Sequence, residues 1–256
     1  MIKNIYTSNY YLEKNPSLHE EETSWKIKKI KPLVDQFLVR FNEKKLRLLD
    51  VGGGTGKILK EISEYIEKKH KIKVEKYALD LTPKILELQR KNNSSLRKAL
   101  NEDISHTSLK KKEIDLVLMI DVLEHIPNPK RALKELNRIS DYVIFKVPLE
   151  KNLIMILANF LTLGKVRKKI IQRLGHINVY NLRILNKQLE NNGFYIISSN
   201  YTNSFEYWFN SNRHKNTFLG LPFRIYYGAG YLLSKLFPNL VPILMNDFVM
   251  ILAKVK

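Results

Sequence analysis

Between Leu46 and Val147, short β-type runs alternate with segments of helical apolar spacing, and this alternation constrains the fold of the 256-residue chain more than any other feature. Parallel strands need crossover helices, and helices placed that way cover both faces of the sheet. Strands are expected near Leu46–Val51, Val74–Leu79, Leu96–Asn101, Asp115–Ile120 and Tyr142–Val147, with helices over Lys57–Lys69, Pro83–Asn92 and Pro129–Ser140. In the first of these helices Ile58, Ile62, Tyr65 and Ile66 recur at helical spacing. Pro83 and Pro129 fall at first-turn positions, where a missing N–H does no harm. Farther on, Asn181–Asn192 reads as a helix stopped by Gly193, Phe194–Tyr201 as a strand and Asp247–Val255 as the last strand. Residues 1–45 are expected to form an N-terminal helical cap or lid, with Trp25, Ile27, Ile30, Leu33 and Phe37 on its apolar face. Residues 46–256 then form one α/β domain, carrying insertions at about 151–175 and a C-terminal aromatic one at 202–246.

The glycine-rich turn Asp50-Val-Gly-Gly-Gly-Thr-Gly56 closes the first strand and opens the first helix. Glycines there let the backbone approach a ligand, and the helix start adds unpaired N–H groups. A phosphate loop would continue Gly-Lys-Ser/Thr, whereas Lys57 is followed by Ile58, so no hydroxyl is available for magnesium. A dinucleotide fingerprint is also excluded: Gly52, Gly54 and Gly56 are spaced by two, and Asp50 in front of them would repel a pyrophosphate and attract a cationic amine. The second strand ends at Asp80, 24 residues beyond Gly56, where a carboxylate can accept both hydroxyls of a ribose. After the third strand comes Asp103, placed to accept from the exocyclic amine of a base while Ile104 packs on the ring. The fourth strand runs into Ile120-Asp-Val-Leu-Glu-His-Ile-Pro127. Every candidate lies at the carboxyl end of a parallel strand, where open α/β sheets bind ligands.

This series resembles class I S-adenosylmethionine-dependent methyltransferases over about residues 46–147. The resemblance implies a Rossmann-like, doubly wound, seven-stranded and mostly parallel sheet with helices on both faces. It implies that Asp50, Gly52, Gly53, Gly54, Thr55 and Gly56 hold the methionyl part and ribose side of S-adenosylmethionine. By the same likeness Asp80 binds the ribose hydroxyls, Asp103 and Ile104 flank the adenine, Ile120 and Asp121 line the methionine end, and Leu81 is a further cofactor-binding residue. The Asp121-Val-Leu-Glu-His-Ile-Pro motif is similar to one in small-molecule and quinone-type O-methyltransferases. Two further segments, Tyr11 to Lys26 and Gly175-His-Ile-Asn-Val-Tyr180, are similar to methyltransferases of types 11 and 23 grouped with polysaccharide or glycolipid biosynthesis. In place of the Lys-Pro-Gly-Gly turn common before the fifth strand, this chain has Arg138-Ile-Ser-Asp-Tyr142.

Methyl transfer from a sulfonium mainly requires the acceptor to be held in line, about 3 Å from the methyl carbon. A base is needed only for an acceptor that is protonated, such as a hydroxyl, and His125 and His176 are the candidate catalytic residues. His125 either acts as base or substrate contact, or makes a structural hydrogen bond to a neighbouring loop. For His176 the alternative is capping the following helix, and His19 reads equally as a surface histidine in an acidic leader. Glu124 reads as orienting a helix start, and Trp25 as a lid residue or an anchor for the N-terminal helix. No metal site is read. The absence of cysteine excludes disulfides, Cys-ligated zinc, iron–sulfur clusters and a thiol nucleophile.

The formal charge is +19, unevenly spread. Residues 1–150 carry 30 basic and 22 acidic side chains, and residues 151–256 carry 14 and 3. The second excess surrounds an apolar run, Leu153 to Leu163, followed by Lys165, Arg167, Lys168, Lys169 and Arg173. Cations beside apolar groups suit an anionic membrane surface, and with it a lipid-linked glycan, quinone or other amphiphilic acceptor; the alternative is a core helix under the sheet or a dimer face, with the lysines merely solvating the outside. The same cations and aromatics fit nucleic acid, methylated or merely bound. Against that stand the missing Asn/Asp-Pro-Pro-Tyr motif after the fourth strand and the lack of cysteine. A non-catalytic protein would not need Asp50, Asp80 and Asp103 together. No secretory signal is legible in MIKNIYTSNYYLEKN, so a cytoplasmic protein, peripheral at the membrane, is expected.

Overall fold

The computed structural model describes Leu18, residues 20–211 and residues 220–256. His19, most of the leader ahead of it and residues 212–219 of the aromatic insertion lie outside the described residues. A 3-10 turn at Glu20–Glu22 leads into α1 (Thr23–Leu38). Next come β1 (Lys45–Val51), α2 (Lys57–His70), β2 (Lys73–Leu79), α3 (Pro83–Asn92), β3 (Leu96–Leu100) and β4 (Ile114–Ile120). After a 3-10 turn at Leu123–His125 follow α4 (Pro129–Ile139), β5 (Ser140–Leu149), α5 (Leu153–Leu161), α6 (Lys165–Leu174), α7 (Leu182–Asn191) and β6 (Phe194–Tyr201). The chain closes with α8 (Ser204–Asn210), α9 (Gly220–Leu236), α10 (Val241–Leu244) and β7 (Asp247–Val255).

The seven strands form one sheet in the order β3-β2-β1-β4-β5-β7-β6, with β7 antiparallel to both its neighbours and the other pairings parallel. The strand order reverses between β1 and β4, which leaves a crevice at the carboxyl ends of those strands. Every residue of β4 is buried, as a central strand covered on both faces requires. Alternation along it divides the core: Val117 and Met119 join the cluster under α4 and α7, whereas Leu116, Leu118 and Ile120 join the cluster under α1, α2 and α3.

Helix α1 contributes Ile27, Ile30, Leu33, Val34 and Phe37 to that second cluster, so it is a full member of one helical layer. Its Trp25 stacks on Tyr207 at 5.2 Å and meets Phe248 edge-on, which joins α1 to α8 and β7. The apolar run at Leu153 forms α5, which has no buried residue; it is not a core helix. Among the described residues no helix is long and apolar enough to cross a membrane.

Candidate active site

The strand ends around the crevice enclose a cavity whose wall includes Asp50, Gly52, Gly53, Gly54, Thr55, Asp80, Leu81, Asp103, Ile104, Ile120 and Asp121. Eleven of the twelve expected cofactor positions therefore come together from four separate strand ends. Gly56 does not line the cavity. It starts α2 at φ +76°, and an added Cβ would meet Asn93 Nδ2 at 2.8 Å, so glycine is needed there to seat the loop on α3. The end of α3 fixes that loop directly: Asn92 Nδ2 donates to Thr55 O at 2.8 Å, and Asn93 Nδ2 to Gly56 O at 3.0 Å.

Asp50 is buried, and its Oδ2 has no hydrogen-bond partner. A Cβ on Gly53 would collide with that carboxylate, so the glycine is what lets the loop close over it. Burial, with Asp80 nearby, pushes the Asp50 carboxyl up to about 7. Burial also pushes Asp80 up, to about 6, against the Thr82 N–H that donates to its Oδ1 at 2.8 Å. Asp103 Oδ1 accepts from Ser105 N at 2.9 Å, which pins the turn after β3.

Asp121 differs from the other acids. It was expected to line the methionine end, and two cations hold it: Lys26 Nζ lies 2.9 Å from its Oδ2 and the fully buried Lys146 Nζ bonds its Oδ1. Burial works to raise this carboxyl, and the two lysines hold it well below the ordinary range. Glu22, 3.3 Å from Lys26, completes a chain of four charges tying α1 to the ends of β4 and β5. Lys146 also lies 3.5 Å from the Phe248 ring centroid. Neither lysine was singled out from sequence; the available signal was one cation inside the apolar run Tyr142–Val147.

His125 lines the cavity, and its Nδ1 donates to Gly175 O at 3.2 Å. His176 stands behind it, ring centroids 4.9 Å apart and edge to face, and does not line the cavity. His176 Nδ1 donates to Glu150 Oε1 at 2.6 Å, and Arg167 Nη1 donates to Glu150 Oε2 at 3.1 Å. The segment around His176 clamps the turn after β4. Ile177 N and Asn178 N both donate to Glu124 O at 3.0 Å, and Asn178 Nδ2 donates to Ile126 O at 2.8 Å. Glu124, expected to orient a helix start, is instead fully buried beside the two imidazoles. The wall also contains Leu18, Thr23 and Lys26 ahead of β1, and Ile126 and Pro127 beyond His125, none of which had been assigned to the site.

The donor set fits a phosphate-free ligand that carries positive charge: buried carboxylates, one with an unsatisfied oxygen, a close-approach glycine loop, and apolar Leu81, Ile104 and Ile120 between them. A family model described as a methyltransferase domain matches residues 23–199. The chain belongs to that family and is a class I S-adenosylmethionine-dependent methyltransferase. Solved structures share its fold. Geranyl diphosphate methyltransferase superposes with a TM-score of 0.62 and 13% identity, covering 97% of this chain and 91% of that one. The cyclopropane synthase MmaA2 from Mycobacterium tuberculosis gives 0.58 and 14%, covering 88% and 83%. Phosphoethanolamine N-methyltransferase 2 from Haemonchus contortus gives 0.56 and 16%, covering 87% and 52%. No curated protein matches the chain in sequence.

Proposed function

We propose that the enzyme methylates a hydroxyl oxygen of an amphiphilic small molecule, glycan or lipid-linked acceptor, working from an anionic membrane surface. The observation that carries this reading is the exposed surface directly after β5. In and just beyond α5, Ile156, Phe160 and Leu163 are 54%, 77% and 90% exposed, and α6 beside it carries Lys165, Lys168, Lys169 and Arg173. Phe223, Ile225, Leu232, Leu236, Phe237 and Ile243 add exposed apolar area from α9 and the α10 region. Large exposed apolar areas on soluble proteins mark interaction sites, and cations beside them suit anionic headgroups. The surface connects to the cavity through Arg167, Glu150, His176 and His125 in turn.

When bound, S-adenosylmethionine supplies a methyl group already activated by its sulfonium. In this reading Asp50 and the loop from Gly52 to Gly56 hold the methionyl part, Asp80 with Leu81 the ribose, and Asp103 with Ile104 the adenine. Ile120 and Asp121 close the methionine end, and α1 walls the cavity through Thr23 and Lys26. His125 meets the acceptor and His176 supports it from behind. Flotation with anionic vesicles at low salt tests the surface, and mass spectrometry of membrane extracts incubated with enzyme and cofactor tests the acceptor. Failure to co-float, or methyl groups appearing only on soluble metabolites or nucleic acid, would remove the membrane-bound acceptor.

A further inference from the structure

Glu124, His125 and His176 each bring one ligating atom to within 4.8 Å of the other two. Glu124 is 0% exposed, and apart from its own backbone N–H its carboxyl group has no hydrogen-bond partner. A buried carboxyl group in that condition is unfavourable as an anion unless a cation compensates it. His125 Nε2 lies 3.9 Å from Glu124 Oε1, beyond hydrogen-bonding distance and about half an ångström wider than two ligands on one tetrahedral ion, a gap that a small side-chain rotation closes. Both rings are oriented from outside the cluster, since Gly175 O and the Glu150 carboxylate can only accept, which fixes the hydrogen on each Nδ1. Metal-ligating histidines characteristically donate their second ring N–H to a carbonyl or a carboxylate, and here one ring does each.

We propose that Glu124, His125 and His176 bind a divalent first-row transition ion, with the Gly175 carbonyl and Glu150 as orienting partners. Two imidazoles and one carboxylate favour ions such as Zn2+ or Fe2+ over Mg2+ and Ca2+, which prefer all-oxygen ligands. Three protein ligands leave positions open, and His125 is the ligand that lines the cavity, so the ion sits at the acceptor's side of the site. Its use in holding a hydroxyl-bearing acceptor rests on the function proposed above; the binding of the ion does not.

Chelator-treated enzyme titrated with Co2+ should develop ligand-field absorption saturating at one ion per chain, reversed by Zn2+ and unaffected by Mg2+. Glu124→Gln and His176→Ala should each abolish the signal, and Glu150→Gln should weaken Co2+ binding about 10–100-fold. S-adenosylmethionine affinity measured on each variant reports whether it is folded. Asp80→Ala should lose cofactor and keep the cobalt spectrum, so failure of the cofactor assignment is read separately from failure of the metal site. Lack of stoichiometric Co2+ binding by the unaltered enzyme, or an unchanged spectrum in Glu124→Gln, overturns the proposal and leaves Glu124 a protonated buried acid.

Discussion

The cofactor half and the α5–α6 arm of this molecule use charge in opposite ways. In the first, carboxylates are buried at strand ends and cations compensate only some of them: Asp121 has Lys26 and Lys146, whereas Asp50 keeps an unsatisfied oxygen. In the second, lysines lie at the surface beside exposed leucines and phenylalanines, and nothing among the described residues covers them. Buried charge is expensive and so has to be structural or meant for a ligand. Exposed charge is cheap, and it takes on meaning here only through its apolar neighbours. The +19 of the chain is therefore two different quantities that happen to be summed.

The sharpest way to break this contrast is Asp121→Ala, which leaves two buried ammonium groups facing each other. It should destabilise the fold by about 3–5 kcal/mol in urea unfolding, and a change below 1 kcal/mol would mean that the network is not structural. Next, Asp80→Ala should weaken S-adenosylmethionine binding by about 100-fold in calorimetry, the loss of roughly two hydrogen bonds to a charged acceptor, with little change in unfolding midpoint. Unchanged affinity would refute the ribose assignment.

A pH series sharpens the same comparison. Asp50 and Asp80 titrate at about 7 and about 6 in the folded protein, above an ordinary 3.8, so the native state binds more protons than the unfolded state across that window. Their contribution to the stability of the free protein is therefore lost as pH rises toward 7. A cationic ligand needs the ionised forms, so its affinity should drop by about tenfold or more from pH 7.5 to 5.5, which a fluorescence titration would follow. The smallest effect belongs to the arm: Lys168→Gln should weaken binding to anionic vesicles by about 1 kcal/mol, be masked by high salt, and leave cofactor affinity and stability untouched.

Much of the cofactor half is legible in the sequence because its signals are local. The strand expected at Asp115–Ile120 is β4 at Ile114–Ile120, and that at Asp247–Val255 is β7 to the residue. Strand-end acids and a glycine turn are contiguous in the chain, and topology then places them together. Lys146 shows where this stops. A lysine in an apolar strand can face water or be buried, and only its partners decide: Asp121 is 25 positions away and Lys26 comes from a different helix. Glu124 is similar. Next to a proline-started helix it reads as a helix-orienting acid, yet the return of Gly175–Tyr180 across the turn buries it against two histidines.

The fate of α5 turns on the same distinction. Its apolar composition is plain in the sequence, but a run of leucines and isoleucines is equally a core helix or an exposed one until the sheet is assembled and its faces are taken by α1, α2, α4 and α7. The periodicities, the turn chemistry and the order of strand-end acids can be read along the chain, because each is set by neighbours in sequence. The tertiary structure alone decided which charges are compensated, which apolar surface stays bare, and that Glu124, His125 and His176 meet, because burial and pairing depend on residues brought together from distant parts of the chain.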